Sequence, residues 1–292
     1  MANLKEIRGR ITSVNSTKQI TSAMKMVSAA KLKRAQDAII QMRPYAEKLK
    51  EILGNLSASL DANEGVYSAP REAKNVLIIA ITSNRGLCGA FNNNVIKRTL
   101  ALIQEHKGSN ISVLCIGKKA QEFFKNTEYN IKASDFPKHL NEVYDNLKFS
   151  TVAPIAENIM RHYVDRSVDK VVLVYNKFKN AAMQELMAEQ FLPIIPTASV
   201  EVSNSSVEYI FEPSKKEILE DLIPKSLKIQ FYKAVMDSFA SEHGARMTAM
   251  HKATDNATEL VKELKLTYNK ARQAAITNEI LEIVAGAEAL NS

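Results

Sequence analysis

Glycine and proline punctuate a chain more strongly than any other residues, and here they are confined almost entirely to its middle. Twelve of the seventeen fall between Gly65 and Pro224. Arg10 to Arg43 contains neither, and Lys225 to Ser292 has only Gly244 and Gly286. Aromatic residues follow the same division, with fourteen of nineteen between residues 61 and 213. Such a chain folds as two long terminal helices around a compact centre. The expected divisions are an N-terminal coiled-coil helix over 1–60, a central α/β domain over 61–213 and a C-terminal coiled-coil helix over 214–292.

Helical periodicity supports both ends. Leu4, Ile7, Ile11 and Val14 alternate at spacings of three and four, and the stripe is expected to resume through Ile20, Met24 and Val27, then Leu32, Ala35, Ile39 and Met42. A seam this narrow suits one partner helix. A helix from about residue 3 to 58 is about 80 Å long at 1.5 Å per residue and would project from a domain of this size. Pro44 removes a backbone donor and marks a kink or a break. At the other end Val235, Phe239, Met250, Ala257, Val261, Leu264, Tyr268, Ala271, Ala275 and Ile280 keep a helical repeat. Ala245, Ala249, Ala253 and Ala257 add a small-residue stripe that permits close approach. The simplest product is an antiparallel two-helix coiled coil, with weak or variable supercoiling because the repeat drifts from a strict heptad.

The centre alternates strand and helix. Strands are expected at Val76–Thr82, Ile111–Gly117 and Lys170–Tyr175, with helices at Phe91–His106, Lys118–Lys125 and Thr151–Arg166. Continuous apolar strands between helices predict a parallel, Rossmann-like sheet covered on both faces. Asn176 to Pro213 reads as an extended excursion ending in Val207–Phe211.

Charge narrows the function. The net charge is +7, and residues 1 to 35 hold eight basic side chains against the single acid Glu6, so this segment accounts for the whole surplus. A solvated helix face, nucleic acid and an acidic protein partner could each explain it. Nucleic acid would call for aromatic or base-reading side chains beside the charges, and the segment has no aromatic residue. The seam geometry favours the acidic protein. No run of about 18 uncharged apolar residues is present, nor the apolar centre of a secretory signal. A bacterial chain on the cytoplasmic side of the membrane is therefore expected.

Chemistry-bearing motifs are weak. Ser83-Asn84-Arg85-Gly86-Leu87-Cys88-Gly89 after the first strand invites a nucleotide-binding reading, but G-x-G-x-x-G is missing and no Lys-Ser/Thr follows the glycines. Gly86 and Gly89 fit a tight strand-to-helix turn instead. Cys88 and Cys115 read as buried reduced thiols, and the five histidines lack ligand spacing. No catalytic residue, metal site or cofactor is expected.

Five segments resemble the gamma subunit of F-type ATP synthases. They are Lys5–Gln36, the turn Arg85-Gly86-Leu87-Cys88-Gly89, Val174–Phe178, Ala245–Asn256, and the closing ITNEILEIVAGAEAL from Ile276 to Leu290. They occur in order and span the chain. The resemblance implies a rotor shaft: an antiparallel coiled coil inside a ring of three alpha and three beta subunits. The α/β domain forms the foot, with the epsilon subunit on the membrane c-ring. It implies that chemistry occurs on beta, and that this chain carries torque as a peripheral protein of the bacterial cell membrane. Met24, with Lys25 beside it, matches the coupling position near an acidic lever loop of beta. Arg246, Arg272, Gln273, Thr277, Glu279 and Glu282 match polar positions that contact the ring or support coupling. The turn carrying Arg85, Gly86, Cys88 and Gly89 belongs to the foot. No cysteine pair precedes Pro213, so the thiol switch of the plant chloroplast form is not expected.

Overall fold

The computed structural model describes residues 4–57, 66–68, 71–131, 140–194 and 215–291. The expected strand Val207–Phe211 lies outside them. Two compact units are formed, one from Met1–Ser28 with Arg246–Ser292, the other from Ala29–Ala245.

The elements run α1 (Leu4–Ser57), β1 (Asn75–Ile81), α2 (Phe91–Glu105), β2 (Asn110–Ile116), α3 (Lys118–Phe124), a 3-10 turn at Leu140–Tyr144, α4 (Phe149–Val164), β3 (Lys170–Phe178), β4 (Gln184–Leu192) and α5 (Lys215–Asn291). Pro44 lies within α1 without ending it, and Pro224 lies within α5.

In the unit Ala29–Ala245 the sheet order is β2-β1-β3-β4. β1 pairs in parallel with β2 and β3, whereas β4 returns antiparallel to β3. The fully parallel sheet expected from the apolar runs is thus corrected at one edge. There the half-buried strand QELMAEQFL turns back through a hairpin, a connection too short for a parallel crossover. Side-chain alternation along the strands builds two cores. Leu77, Ile79, Ile81, Leu173 and Tyr175 point to α4 and to Leu227–Val235 of α5. Val76, Ile78, Ala80, Val172 and Val174 point to α2 and α3. Ile78, Ile79, Ile81 and Leu173 are wholly inaccessible to solvent, as a strand covered on both faces requires.

In the other unit α1 and α5 pair antiparallel. The Thr21 and Thr254 hydroxyls lie 2.8 Å apart, and the Arg8 guanidinium donates to the Tyr268 hydroxyl at 2.7 Å while lying over its ring. These contacts set the pairing register, in which successive residues of α1 meet residues of α5 in descending order.

Candidate functional site

The α1 seam differs from the expected one where it matters most. Its buried and half-buried positions in this unit are Leu4, Ile7, Ile11, Val14, Asn15, Lys18, Thr21, Ser22, Met24, Lys25 and Ser28; within them Leu4, Ile7, Ile11, Val14, Lys18, Thr21, Lys25 and Ser28 alternate at spacings of three and four. The expected Ile20 and Val27 lie on the outside, 60% and 57% exposed, with Met26 at 65%. Hydropathy therefore marks the outer face at Ile20 and Val27, while the expected Met24 is half-buried. Lys18 and Lys25 reach this seam as long apolar stems with charged ends, which lets a lysine line a helix interface while keeping its ammonium wet. Met24 is half-buried, between the seam and the outer stripe of Ile20, Ala23 and Val27.

On α5 the matching seam runs Met250, Thr254, Ala257, Val261, Leu264, Tyr268, Ala271 and Ala275, all buried or half-buried. Ile280, expected in the repeat, is 55% exposed instead. The pairing register brings Leu4 beside residues near Ala271, so α1 has run out before Ile276. Residues 276 to 287 are all exposed. They are not all polar: Ile276, Ile280, Ile283 and Val284 recur at helical spacing with between 48% and 71% exposure. Such a stripe on a solvated helix signals an interaction face.

The expected polar residues of α5 divide by burial. Arg246 is 6% exposed, in the body of its unit, whereas Arg272, Gln273, Thr277, Glu279 and Glu282 are exposed. Arg272 and Glu279 share a side with Ile276 and Ile283; Gln273 and Thr277 share one with Ile280 and Val284. The Thr277 hydroxyl donates to the Gln273 carbonyl at 2.9 Å.

Of the eight N-terminal cations, Lys5, Arg8, Arg10, Lys31, Lys33 and Arg34 are exposed, and Lys33 pairs with Asp37 at 2.9 Å. Lys18 and Lys25 are half-buried.

In the sheet unit, the turn after β1 is held by side chains that sequence motifs did not mark. Ser83 donates through its amide to the Asn92 side-chain oxygen at 3.0 Å and through its hydroxyl to the Arg85 carbonyl at 2.6 Å. The Asn92 amide nitrogen donates back to the Ser83 hydroxyl and to the Cys88 sulfur, at 2.9 and 3.2 Å. Cys88 is buried. Gly89 has φ +60°, and so does Leu87, at +63°. An apolar residue in that region is a true outlier, and Leu87 is also 64% exposed. The turn thus presents Leu87 in one strained conformation fixed from beneath by Asn92. Gly86, expected to provide the turn's freedom, is not among the positive-φ residues.

The carboxyl ends of β1 and β2 are where open α/β sheets receive ligands. Here that mouth is filled by the chain itself. At the start of α3 the amides of Lys118, Lys119 and Ala120 donate to Asn84 Oδ1, the Ser83 carbonyl and Thr82 Oγ1, at 3.1, 3.2 and 2.9 Å. Gly117 has φ +101°, and a Cβ there would lie 2.1 Å from the Thr82 carbonyl oxygen. Tyr144 closes the side, donating to the same carbonyl at 2.9 Å and stacking on Phe239. Burial, and then Glu242, hold its phenol well above the usual range. Outside lies a hollow of about 350 Å³ lined by Asn84, Arg85, Lys118, Asn141, Glu142 and Asp145. Two cations and two carboxylates give it no preference for an anion. Cys115 is pushed up to about 12 by burial and is a poor nucleophile. Among the described residues no three His, Cys, Asp or Glu side chains gather as metal ligands.

Comparison with known proteins agrees over the whole length. Residues 3–290 match a family model described as ATP synthase. The ATP synthase gamma chain of Flavobacterium johnsoniae is 63% identical over 292 residues, all of both chains. That of Cytophaga hutchinsonii is 53% identical over 306, again all of both chains, and that of Chlorobaculum tepidum 47% over 296, or 99% of each. Among solved structures, a chain of the Euglena gracilis mitochondrial ATP synthase in rotational state 3 superposes with a TM-score of 0.64 at 21% identity, covering 98% of this chain and 94% of that one. A rotor chain of the same enzyme in rotational state 1 gives 0.60 at 22%, covering 94% and 98%. The chain belongs to the ATP synthase gamma chain family.

Proposed function

We propose that this chain is the central rotor shaft of an F-type ATP synthase, coupling rotation of a membrane c-ring to ATP synthesis or hydrolysis on beta subunits. The observation that carries this reading is the end of α5. Among the described residues no other helix lies beside residues 276 to 287, yet these carry an apolar stripe with polar residues next to it. A lone helix of that pattern is marginal in water and calls for an enclosing protein wall.

The partners in this reading are three alpha and three beta subunits, an epsilon subunit and the c-ring. Arg272, Gln273, Thr277, Glu279 and Glu282 contact the ring from the exposed end, and Met24 marks the coupling level on α1. There the outer stripe of Ile20, Ala23 and Val27 supplies apolar contact. The exposed cations Lys31, Lys33 and Arg34 follow on the same helix and suit an acidic loop. Arg246 acts from within, supporting the seam. The chain itself performs no chemistry, and the Arg85–Gly89 turn is a contact of the foot. Contacts broken at every step must each be weak, and exposed polar pairs of about 0 to 1 kcal/mol meet that need. No described helix is long and apolar enough to cross a membrane; the location in this reading is peripheral, on the cytoplasmic face of a bacterial membrane.

Reconstitution tests it. The purified chain should hydrolyse no ATP, and should activate a mixture of alpha and beta subunits. A chain ending at Ala275 should assemble yet lose most of the coupling between hydrolysis and rotation. Appreciable ATPase activity of the single chain would sink the reading. Tight nucleotide binding by the single chain would favour an enzyme with a doubly wound domain, against the occupied amides of α3.

A further inference from the structure

Among the described residues two side chains other than glycine stand at positive φ, Leu87 at +63° and Arg166 at +59°. Arg166 has a local reason. It ends α4: its amide donates to the Tyr163 carbonyl at 3.3 Å and that of Ser167 to the His162 carbonyl at 3.1 Å, the pair of bonds that closes a helix through one left-handed residue. Leu87 ends no helix, and among the described residues it joins no backbone hydrogen bond of this kind. Glycine takes such a conformation freely, yet the glycine beside it, Gly86, is not the residue at positive φ.

The leucine side chain gives the fold nothing in return. It is 64% exposed and belongs to neither core of the sheet unit. Its position is nevertheless fixed from both sides. The Ser83 hydroxyl holds the Arg85 carbonyl at 2.6 Å, and the Asn92 amide nitrogen donates to the buried Cys88 sulfur at 3.2 Å. Behind them Asn176, 2% exposed, donates to the Phe91 carbonyl at 3.2 Å and accepts from the Ser241 hydroxyl at 2.9 Å. The turn is thereby tied to β3 and α5. A strained conformation persists where its surroundings over-determine it, and such strain gathers at functional places. An apolar side chain held out to solvent on so stiff a base finds its benefit outside the chain.

We propose that Leu87 is an anchor side chain that enters an apolar pocket on a neighbouring protein subunit. This rests on the reading of the chain as a subunit of ATP synthase, and gives the turn of its foot one contact residue. A pocket favours a side chain already held in one place, because little freedom is lost on binding. A lipid surface accepts a leucine in any orientation, and one such side chain adds little to membrane affinity. Polar groups of both signs stand close by. Arg85, two residues earlier, lines a hollow with Lys118, Glu142 and Asp145, and an apolar point beside mixed charge matches the core and rim of a protein interface.

Two variants of the full chain test this. Leu87→Gly relieves the strain and loses little buried area, so the urea midpoint of the free chain should stay the same or rise. The same variant should need about tenfold or more chain for half-maximal recovery of ATP-driven ion pumping when the complete enzyme is assembled from its purified subunits. Leu87→Cys places a thiol at the tip of the turn while Cys88 stays buried. Its labelling by N-ethylmaleimide, with the natural chain as blank, should be about tenfold or more slower in the assembled enzyme than in the free chain. Equal labelling in the two overturns the proposal, as does a glycine variant whose midpoint falls as far as that of a core variant. Slow labelling on lipid vesicles alone overturns it in favour of a membrane contact. A natural chain that restores no pumping sinks the subunit reading and the anchor with it. A natural chain that does so, beside an equally effective glycine variant, sinks the anchor alone.

Discussion

The two units bury their residues by opposite rules. In the sheet unit every strand residue from Val76 to Ile81 is at most 1% exposed, the polar groups beside it are capped by named partners, and the close approach at Gly117 permits no side chain. In the helical unit the seam is a narrow line, its α1 side turns from apolar to polar after Val14, and residues 276 to 287 of α5 are exposed. Dense packing resists any change in volume. A narrow seam tolerates change, because each position contributes little. The difference teaches that one chain can keep a densely packed body and a thinly packed one by choosing how many layers enclose each residue.

Substitutions can break or sharpen that contrast. The largest loss is expected for Gly117→Ala. The added Cβ meets the Thr82 carbonyl at 2.1 Å in a left-handed conformation, and overpacking together with backbone strain should cost about 4 kcal/mol or more in urea unfolding. Phe231→Ala, which empties a wholly buried ring between the sheet and α5, should cost about 3–5 kcal/mol. If either cost under 1 kcal/mol, the sheet unit would not be the densely packed body described.

A pH dependence is expected next. Asp237 is 5% exposed on α5. Burial raises its pKa to about 6 from 3.8; Lys233, Lys177 and Arg43 oppose the rise and Glu189 adds to it. A raised folded pKa means that the native state holds the proton more tightly. The stabilisation is therefore full below about pH 4 and lost as pH rises through 6. About two pKa units correspond to up to about 3 kcal/mol between pH 4 and 8. Asp237→Asn should abolish that part of the slope in unfolding midpoints measured across the range. A variant with the same slope would remove Asp237 as its source.

Smaller effects belong to the helical unit. Thr254→Val removes the hydroxyl that meets Thr21 and should cost about 1 kcal/mol. Gln273→Ala and Ile283→Ala, on the exposed end, should shift stability by less than about 0.5 kcal/mol. Any strong effect of these two must then appear in the ATPase rate of the assembled enzyme, not in unfolding of the chain.

The sheet was legible in the sequence because its strands are buried on both faces and read as unbroken apolar runs at Val76, Ile111 and Lys170. β4 was not, because a half-buried edge strand mixes Gln and Glu with Leu and Met. The exposure of the end of α5 was not legible, because Ile280 continues the helical repeat and no local pattern marks where its partner helix stops. The middle of the α1 seam misled, since hydropathy marks Ile20 and Val27 and cannot mark a lysine stem as an inward group. The roles of Thr82 and Asn84 escaped notice for another reason: the amides that they satisfy lie more than thirty residues away, and no local spacing encodes that meeting.

The filled mouth of the sheet has a consequence for regulation. Energy status reaches many α/β proteins as adenine nucleotide settling where strand meets helix. Here the amides that would greet a phosphate are already committed to Thr82, Ser83 and Asn84. At this place, then, a change in nucleotide level has no free amide of α3 through which to act.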